Sequence, residues 1–335
     1  QQALEVLAGA KGLCLLPPGA DTCPRLVIEA KLLGCELHYN ENVQHVDEDW
    51  FDTDDVESID QYLRDYKKRF WNVIEKTNLK KKVNKEEKNH FTIVIPSYNN
   101  EKWVDKNIRS VLNQEYSNFD VIYVDDASKD KTKEKLIELI QEYEYKNIKV
   151  INNAENQKAL YNICCSIKES KDDTIIVLLD GDDWLANTDV LTKLNEIYDD
   201  NIWITAGSYV DSVHGVVTRP NIKAPMWKTN IRKYFNAPGH SFSHLRTFRK
   251  KLFNKIKESD LFDDSGSHYA YTFDQVLMFP MVEMAGPEHF REVEDVLLTY
   301  NRQNPLSVDR VSRQEQLRIE NVIKNKQPYD RAKEI

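Results

Sequence analysis

The chain has 335 residues, of which 41% are hydrophobic and 30% are charged, and its formal net charge is −9. This length allows one large domain or two smaller ones. The acidic balance argues against a protein that wraps nucleic acid, because such proteins need a basic face. We therefore expect no nucleic-acid partner, and a bound anion would need a metal ion or a local basic group to offset the repulsion.

The five cysteines are an odd number and form no Cys-x-x-Cys pair. In a chain of this length, that pattern indicates reduced thiols and not a disulfide framework or a zinc site. No apolar run approaches the ~18 residues that span a bilayer, and no signal peptide opens the chain. We therefore expect a soluble, intracellular (cytoplasmic) protein without a transmembrane segment, and the first residue, Gln1, suggests a piece of a longer protein.

Four stretches of the chain differ in composition. Residues 1–78 contain apolar runs typical of a small α/β segment. Residues 79–90 are almost uniformly polar, which predicts a linker. Residues 91–305 are predicted to form the main domain, and residues 306–335 a charged, helical tail.

The main stretch has four short apolar runs, at residues 91–95, 121–124, 148–151 and 175–179. Such runs are typical of strands buried on both faces, and the segments between them repeat apolar residues at helical spacing. This alternation predicts an α/β fold with a mainly parallel sheet and right-handed crossovers. Because ligands bind beyond the carboxyl ends of such strands, the residues after each run are expected to line one crevice.

The strongest of these strand ends is Asp180-Gly181-Asp182-Asp183, which follows the most apolar run. Two carboxylates one residue apart, on a turn opened by a glycine, suit Mg²⁺ or Mn²⁺ while a substrate diphosphate fills the other positions. The alternative is a solvated turn, since Asp and Gly are ordinary turn residues. The chain has no Gly-rich phosphate loop, so a bound diphosphate would need such a metal ion.

The other strand ends supply groups suited to a nucleotide. Asp125 and Asp126 follow the second run, where a carboxylate can accept a hydrogen bond from a uracil N–H or a ribose hydroxyl. Pro96 turns the chain out of the first strand, and Tyr98 can stack on a base or can be an ordinary core tyrosine. Asn153 follows the third run.

Together these motifs resemble the family 2 glycosyltransferases of GT-A fold. The resemblance rests on Val94–Asn99, Ser110–Gln114, Val124–Thr132 and Leu178–Leu185. It implies a nucleotide-sugar donor, usually a UDP-sugar, and inversion of the anomeric centre. It also implies that Asp125 or Asp126 reads the base, that Asp180 lies near the ribose and the metal, and that Asp182 is a direct metal ligand.

One stretch departs from the family pattern. The family often has Asn-x-Gly-x-x-x-Ala-x-Asn before the third helix, whereas residues 153–162 keep the polar ends and lack the glycine. Lys158 in this stretch is a candidate cation beside the nucleotide. The alternative is a solvated lysine at the start of a helix.

The second half of the main stretch supplies candidates for the metal and the chemistry. His244 is predicted as the third protein ligand of the metal, and Arg246 or Arg249 to neutralise the departing diphosphate, because forked donors suit phosphates. The alternative is a surface turn. Asp274 resembles the acidic residue that acts as catalytic base at a helix start in the family, although Asp is also a good helix cap. The acidic pair at residues 263–264 is a weaker rival.

The N-terminal stretch has a separate resemblance. Leu13–Pro17 and Asp21–Leu37 resemble the last strand–helix–strand of a GT-B glycosyltransferase, in which a glutamate placed like Glu29 touches the donor. Only the end of such a fold is present. We therefore expect no complete nucleotide site in this stretch.

The sequence thus predicts an inverting glycosyltransferase that uses a UDP-sugar, Mn²⁺ or Mg²⁺, and a carbohydrate or glycoprotein acceptor. Two alternatives remain: a nucleotidyltransferase, and a non-catalytic module that binds a nucleotide sugar. The sequence does not specify the sugar, the acceptor or the oligomeric state, and a homo-oligomer is compatible with it.

Overall fold

The computed structural model describes residues 10–16, 25–40, 42–43, 55, 57, 87–143, 145, 147–221, 227, 230–234, 242–305 and 312–335. The chain divides into two compact units, Gln1–Lys85 and Glu86–Ile335.

The smaller unit contains a strand–helix–strand motif. Its elements are β1 (Gly12–Leu15), α1 (Arg25–Leu32) and β2 (Glu36–Tyr39). The two strands pair in parallel, with Gly12 opposite Glu36, and Val27 and Ala30 of α1 are buried. The small α/β segment expected from the sequence is therefore present, while the GT-B resemblance stays a prediction.

The first part of the larger unit alternates strands and helices as predicted. The elements in chain order are β3 (Phe91–Ser97), α2 (Val104–Leu112), β4 (Phe119–Asp125), α3 (Thr132–Glu142), β5 (Ile148–Asn152), α4 (Ala159–Glu169), β6 (Ile175–Leu178), β7 (Trp184–Leu185), α5 (Val190–Ile197), β8 (Ile204–Asp211), β9 (Val217–Thr218), α6 (Ile231–Tyr234), β10 (Arg246–Arg249), α7 (Lys250–Phe253), α8 (Phe273–His289), β11 (Phe290–Tyr300) and α9 (Arg313–Asn325).

The larger unit is built on one mixed sheet. Its strands lie in the order β5-β4-β3-β6-β10-β8-β11-β7, and β9 pairs with the outer part of β8. Strands β5, β4, β3 and β6 are parallel, whereas β10 runs antiparallel between β6 and β8. The carboxyl ends of the four predicted strands therefore meet at one edge, as the sequence analysis expected.

The sheet is buried on both faces, which explains the continuous apolar runs. Along β3, Val94 belongs to a core cluster with Leu160 of α4. Its neighbours Ile93 and Ile95 point to the opposite face and belong to a second cluster with Ile108 of α2. Successive side chains of a strand alternate between faces, so a strand covered by helices on both sides is apolar at every position.

The larger unit extends beyond the predicted domain of residues 91–305 at both ends. Upstream, the side chain of Asn89 donates a hydrogen bond of 2.9 Å to the carbonyl of Tyr198, so the last predicted linker residues are attached to this unit. Downstream, α9 places Ile319 and Ile323 in the core cluster that also contains much of α8. The predicted helical tail is thus part of the packed unit.

Spanning a bilayer takes about 20 consecutive apolar residues in a helix. Among the described helices, none has both the length and the apolar character for a membrane crossing. The longest, α8, has 17 residues and a kink at Gly286, and it is apolar on all sides because it is buried in the core.

Candidate active site

A cavity of about 500 Å³ lies at the carboxyl-end edge of the sheet. Its walls come from the strand-end loops, from β10 and from the start of α8. The residues that line it are Pro96, Tyr98, Asn100, Asp126, Asn156, Lys158, Ala159, Asp180, Asp182, His244, Arg246, Ala270, Tyr271, Thr272, Phe273, Asp274, Tyr300, Asn304 and Gln316. Most of the site residues predicted from the sequence are in this set.

Three predicted donor-binding residues, Asp125, Asn153 and Gly181, do not line the cavity. Asp125 is buried, and its carbonyl accepts the backbone N–H of Asn153. A Cβ on Gly181 would lie 2.6 Å from the Cβ of Ser97, so only glycine lets the turn after β6 pack against the end of β3. These residues shape the loops that carry the cavity wall.

Asp126 organises the loop between β5 and α4. One carboxylate oxygen, Oδ1, accepts hydrogen bonds from the side chain of Asn153 at 2.7 Å and the backbone N–H of Gln157 at 2.8 Å. The other oxygen, Oδ2, accepts the backbone N–H of Lys158 at 3.0 Å. A carboxylate offers about four acceptor positions. One position therefore remains for a ligand at the cavity.

Four non-glycine residues of the described part have positive φ: Asn99, Ala127, Lys158 and Thr272. Each lies in the cavity wall or next to a residue that lines it. Such conformations cost of order 1–3 kcal/mol each and cluster at functional sites. At Lys158, φ is 71°, a left-handed conformation that glycine adopts without strain, and a lysine occupies it here in spite of the strain.

A carboxylate and imidazole cluster adjoins the cavity. Ligand atoms of Asp180, Asp183 and His244 all lie within 4.8 Å of one another. Asp183 is fully buried; its Oδ1 accepts the backbone N–H of Asn301 at 2.7 Å, and its Oδ2 has no hydrogen-bond partner among the described residues. A buried carboxylate oxygen without a partner fits a site that takes a cation.

The cluster departs from the predicted ligand set in one respect, since Asp183 takes the place of Asp182. The carboxylate of Asp182 is turned toward Asn304, whose side-chain amide donates to it at 2.7 Å. Asp182, however, lines the cavity, whereas Asp183 is 0% exposed and does not. As a ligand of the cation, Asp183 is favoured by the short distances from its carboxylate to Asp180 and His244. Asp182 is favoured because its side chain reaches the cavity.

Burial and mutual repulsion make the ionised carboxylates of the cluster costly. Burial raises the pKa of Asp180 to about 6, with the charges of Asp182 and Asp274 adding to the shift and Arg246 opposing it. Burial, followed by the charges of Asp182 and Asp180, raises the pKa of Asp183 well above its ordinary value. Burial, then Arg246, lowers the pKa of His244 well below its ordinary value, so its ring is neutral. Negative carboxylates beside a neutral imidazole suit a divalent cation.

Arg246 connects this cluster to Asp274. It projects from β10, is 6% exposed, and its Nε donates to the carbonyl of Phe242 at 3.1 Å. Its Nη2 donates to Nε2 of His244 at 3.0 Å and lies 3.7 Å from Oδ2 of Asp274. The guanidinium is therefore held at the cavity wall between the two sides of the site.

Asp274 lies in the first turn of α8 and lines the cavity. Thr272 occupies the N-cap position, without a capping hydrogen bond from its side chain, and Asp274 lies two residues further along, so Asp274 is not the cap residue. The rival Asp263 is half-buried, and its carboxylate accepts hydrogen bonds from Ser265 and Ser267 in its own turn. Of the acidic candidates in this half of the chain, Asp274 alone reaches the cavity.

Several cavity residues escaped the sequence analysis, including Tyr300, Asn304 and Gln316. Asn304 contacts Asp182 across 122 positions of sequence, and no local pattern signals such a contact. Tyr300 ends β11, so its place at a strand end was the one available signal.

Comparison with protein families bears on the part of the chain that carries this cavity. Residues 92–257 match the family model described as glycosyl transferase family 2. This match to a family 2 glycosyltransferase domain covers just under half of the chain. The match confirms the predicted enzyme class, a glycosyltransferase, and includes the carboxylate cluster and Arg246, whereas Asp274 and α9 lie beyond its end. Comparison with curated protein sequences gives no match.

Solved structures of glycosyltransferases resemble this glycosyltransferase in fold. The mannosyltransferase PcManGT from Pyrobaculum calidifontis, in complex with GDP-Man and Mn²⁺, has a TM-score of 0.51 and 14% identity over 77% of this chain and 73% of that chain. S. aureus TarS 1–349 in complex with UDP-GlcNAc has a TM-score of 0.49 and 16% identity over 70% of this chain, and the chain covers 65% of that structure. The predicted GT-A type of α/β fold is confirmed.

Proposed function

We propose that this protein is an inverting glycosyltransferase that moves a sugar from a UDP-sugar to an acceptor hydroxyl with a divalent cation, Mn²⁺ or Mg²⁺. One observation carries the proposal: within a family 2 domain and its continuation, a single cavity brings together the acidic strand end of β6, the guanidinium of Arg246 and the carboxylate of Asp274.

The nucleotide end of the cavity is assigned to Pro96, Tyr98, Asp126 and Lys158. The remaining acceptor position of Asp126 suits one ring N–H, as in the imide of uracil. Tyr98 offers a ring face for the base. Lys158 has an exposed ammonium with no carboxylate within 4.0 Å among the described residues, which leaves its charge available to the donor.

The cation is assigned to Asp180, Asp182 and His244, with Asp183 as the alternative carboxylate. We favour Asp182 over Asp183 because a cation shared with a diphosphate must be held by a group that reaches the cavity. When bound, the cation supplies positive charge against the diphosphate. The Mn²⁺ in the PcManGT complex supports this type of cofactor in the fold.

Asp274 is assigned as the general base. Its carboxylate takes the proton of the acceptor hydroxyl, and that oxygen forms a bond to the anomeric carbon while the bond from this carbon to UDP breaks. Attack from the face opposite UDP inverts the configuration. Arg246 donates hydrogen bonds where negative charge grows on the departing diphosphate, the kind of preorganised stabilisation that contributes strongly to catalysis.

The acceptor end of the cavity is assigned to the side of Tyr271, Phe273 and Tyr300, next to Asp274. Aromatic rings with polar groups beside them suit a carbohydrate, which has apolar ring faces and polar edges. A free glycan and a glycoprotein share this chemistry. The acceptor class is therefore a saccharide hydroxyl.

A panel of UDP- and GDP-sugars tests the proposal. Each donor is incubated with the full chain in Mn²⁺, in Mg²⁺ and in EDTA, and the released nucleotide is measured. We expect metal-dependent release of UDP, and NMR of a transfer product should show an inverted anomeric centre.

The same panel separates the alternatives. Release of pyrophosphate from a nucleoside triphosphate and a sugar phosphate would identify a nucleotidyltransferase. Tight UDP binding without turnover of any donor or acceptor would identify a binding module. Preferred release of GDP would leave the enzyme class unchanged and overturn the assignment of uracil as the nucleobase of the donor.

A further inference from the structure

The C-terminal helix α9 contributes to the wall of the cavity, although it lies beyond the family match. Its buried side carries Ile319 and Ile323, which belong to the core cluster formed with α8. From the same helix, the half-buried Gln316 lines the cavity together with Asp274. A core contact thus fixes the helix that presents Gln316 to the site.

Two hydrogen bonds attach α9 to the turn that carries Asp274. The hydroxyl of Thr272 donates to the carbonyl of Gln316 at 3.3 Å, and the hydroxyls of Ser312 and Tyr271 lie 3.0 Å apart. Thr272 has a φ of 62°, which is an outlier for a β-branched residue. These two hydrogen bonds therefore hold Gln316 in a fixed position relative to Asp274.

The orientation of the Gln316 amide follows from its neighbour on the helix. Nη1 of Arg313 donates to Oε1 of Gln316 at 2.8 Å. Arginine can only donate, so the oxygen of the amide must face it. The two N–H groups of Nε2 have no partner within the described part of the chain and remain available at the cavity wall.

We propose that Gln316 is an acceptor-specificity residue: its amide donates to an oxygen of the acceptor saccharide next to the hydroxyl that Asp274 deprotonates. The inference rests on the proposed function. The family match ends at residue 257, before Gln316 and Asp274, so the acceptor end of the cavity is built by a part of the chain outside the shared donor-binding domain. A site that hydrogen-bonds a hydroxyl discriminates against an analogue without it.

The test compares Gln316→Met with Gln314→Ala in the full chain. Methionine has a similar length and good helix propensity but no amide. Gln314 lies on the same helix, is exposed and does not line the cavity, so its variant is the matched control. Gln316→Ala is a second variant in case methionine perturbs packing, and thermal unfolding midpoints check that each variant is folded.

The probes are a panel of p-nitrophenyl monosaccharides as acceptors, with the donor that releases most UDP. We expect Gln316→Met to raise the acceptor KM about 3- to 10-fold, as for loss of one neutral hydrogen bond, with UDP affinity and donor hydrolysis unchanged. Mono-deoxy forms of the best acceptor should show one position whose removal weakens the wild type and leaves Gln316→Met unaffected.

Three results would overturn the inference: an unchanged acceptor KM in both Gln316 variants, an equal loss in Gln314→Ala, or no saccharide of the panel binding to the wild type with UDP present. Failure of the proposed function is a different outcome, because in that case the wild type itself releases no UDP from any donor.

Discussion

Each carboxylate at the site has a different set of contacts, and these separate the two candidates for the cation. Asp182 lines the cavity and accepts a hydrogen bond from Asn304, whereas Asp183 is fully buried and accepts one from the backbone of Asn301. Asp182 faces the cavity, and Asp183 ties the turn after β6 to the turn after β11.

We expect Asp182→Asn to weaken Mn²⁺-dependent UDP binding at least about tenfold, because a charged ligand of the cation is lost. Asp183→Asn should leave UDP affinity nearly unchanged, because its carboxylate does not reach the cavity. Isothermal titration with UDP and Mn²⁺ measures both. The reverse order of effects would make Asp183 the ligand.

Asp180 makes stability depend on pH in the metal-free protein. Its pKa is about 6 in the folded state, above the ordinary value, so ionising it costs folding stability at pH values above about 6. That cost is relieved as the pH falls from 6 toward 3.8, where the unfolded chain is also protonated. We expect Asp180→Asn to raise the unfolding midpoint in EDTA at pH 7.5 and to raise it less at pH 4.5. If the substitution raised the unfolding midpoint more at pH 4.5 than at pH 7.5, the result would contradict a raised pKa of Asp180.

The proposed base can be separated from the donor site by a single substitution. Asp274→Asn should lower transfer by about 10²–10⁴ while UDP affinity stays unchanged, because a general base contributes that much to rate. Circular dichroism should show an intact fold, since the helix cap is Thr272. A fully active variant would move the base to another residue. A true acceptor is needed, because hydrolysis by water depends less on the base.

At the scale of elements, the helices α6, α8 and α9 are joined by a buried ion pair. Arg232 of α6 is 1% exposed and donates from Nε and Nη2 to the two carboxylate oxygens of Glu283 in α8, both at 2.7 Å. Its Nη1 donates to the carbonyl of Ile323 in α9 at 2.9 Å. This pair therefore connects the helix that carries Asp274 in its first turn to the helix that presents Gln316.

We expect Arg232→Ala to destabilise the protein by about 3–5 kcal/mol, because Glu283 would be left buried without its partner. The double variant Arg232→Met/Glu283→Leu should recover much of that loss, since it removes both charges. Urea unfolding measures both. If the single and double variants lose the same amount, the cost comes from packing and not from the unpaired charge.

At the scale of the whole molecule, the described residues that line the cavity all belong to the unit Glu86–Ile335. A protein that begins at Glu86 keeps the contacts of Asn89 with α5 and its surroundings. We expect it to release UDP from the donor at a rate within about twofold of the full chain. Loss of UDP binding by a folded truncated protein would mean that residues 1–85 complete the donor site.

The sequence by itself determined the parallel half of the sheet and the strand ends that line the cavity. Runs such as 93–95 and 175–179 are apolar at every position because both sheet faces are covered, and polar residues at their ends had to meet at one edge. Motifs of this kind can be recognised in a sequence because strand ends and turns favour particular residue types at neighbouring positions. Asp126, Asp180 and Asp182 were therefore predicted as site residues without knowledge of the fold, and all three line the cavity.

Only the tertiary structure decided which of those groups face the cavity. Asp125 and Asp126 are adjacent in sequence, and the alternation of side chains and the three hydrogen bonds to Asp126 decide that the second one lines it. The contacts of Asn304 with Asp182 and of Gln316 with Thr272 join positions 122 and 44 residues apart. Such contacts depend on how β11 and α9 return to the sheet, which no local pattern encodes. The proposed acceptor end of the cavity is therefore a product of packing.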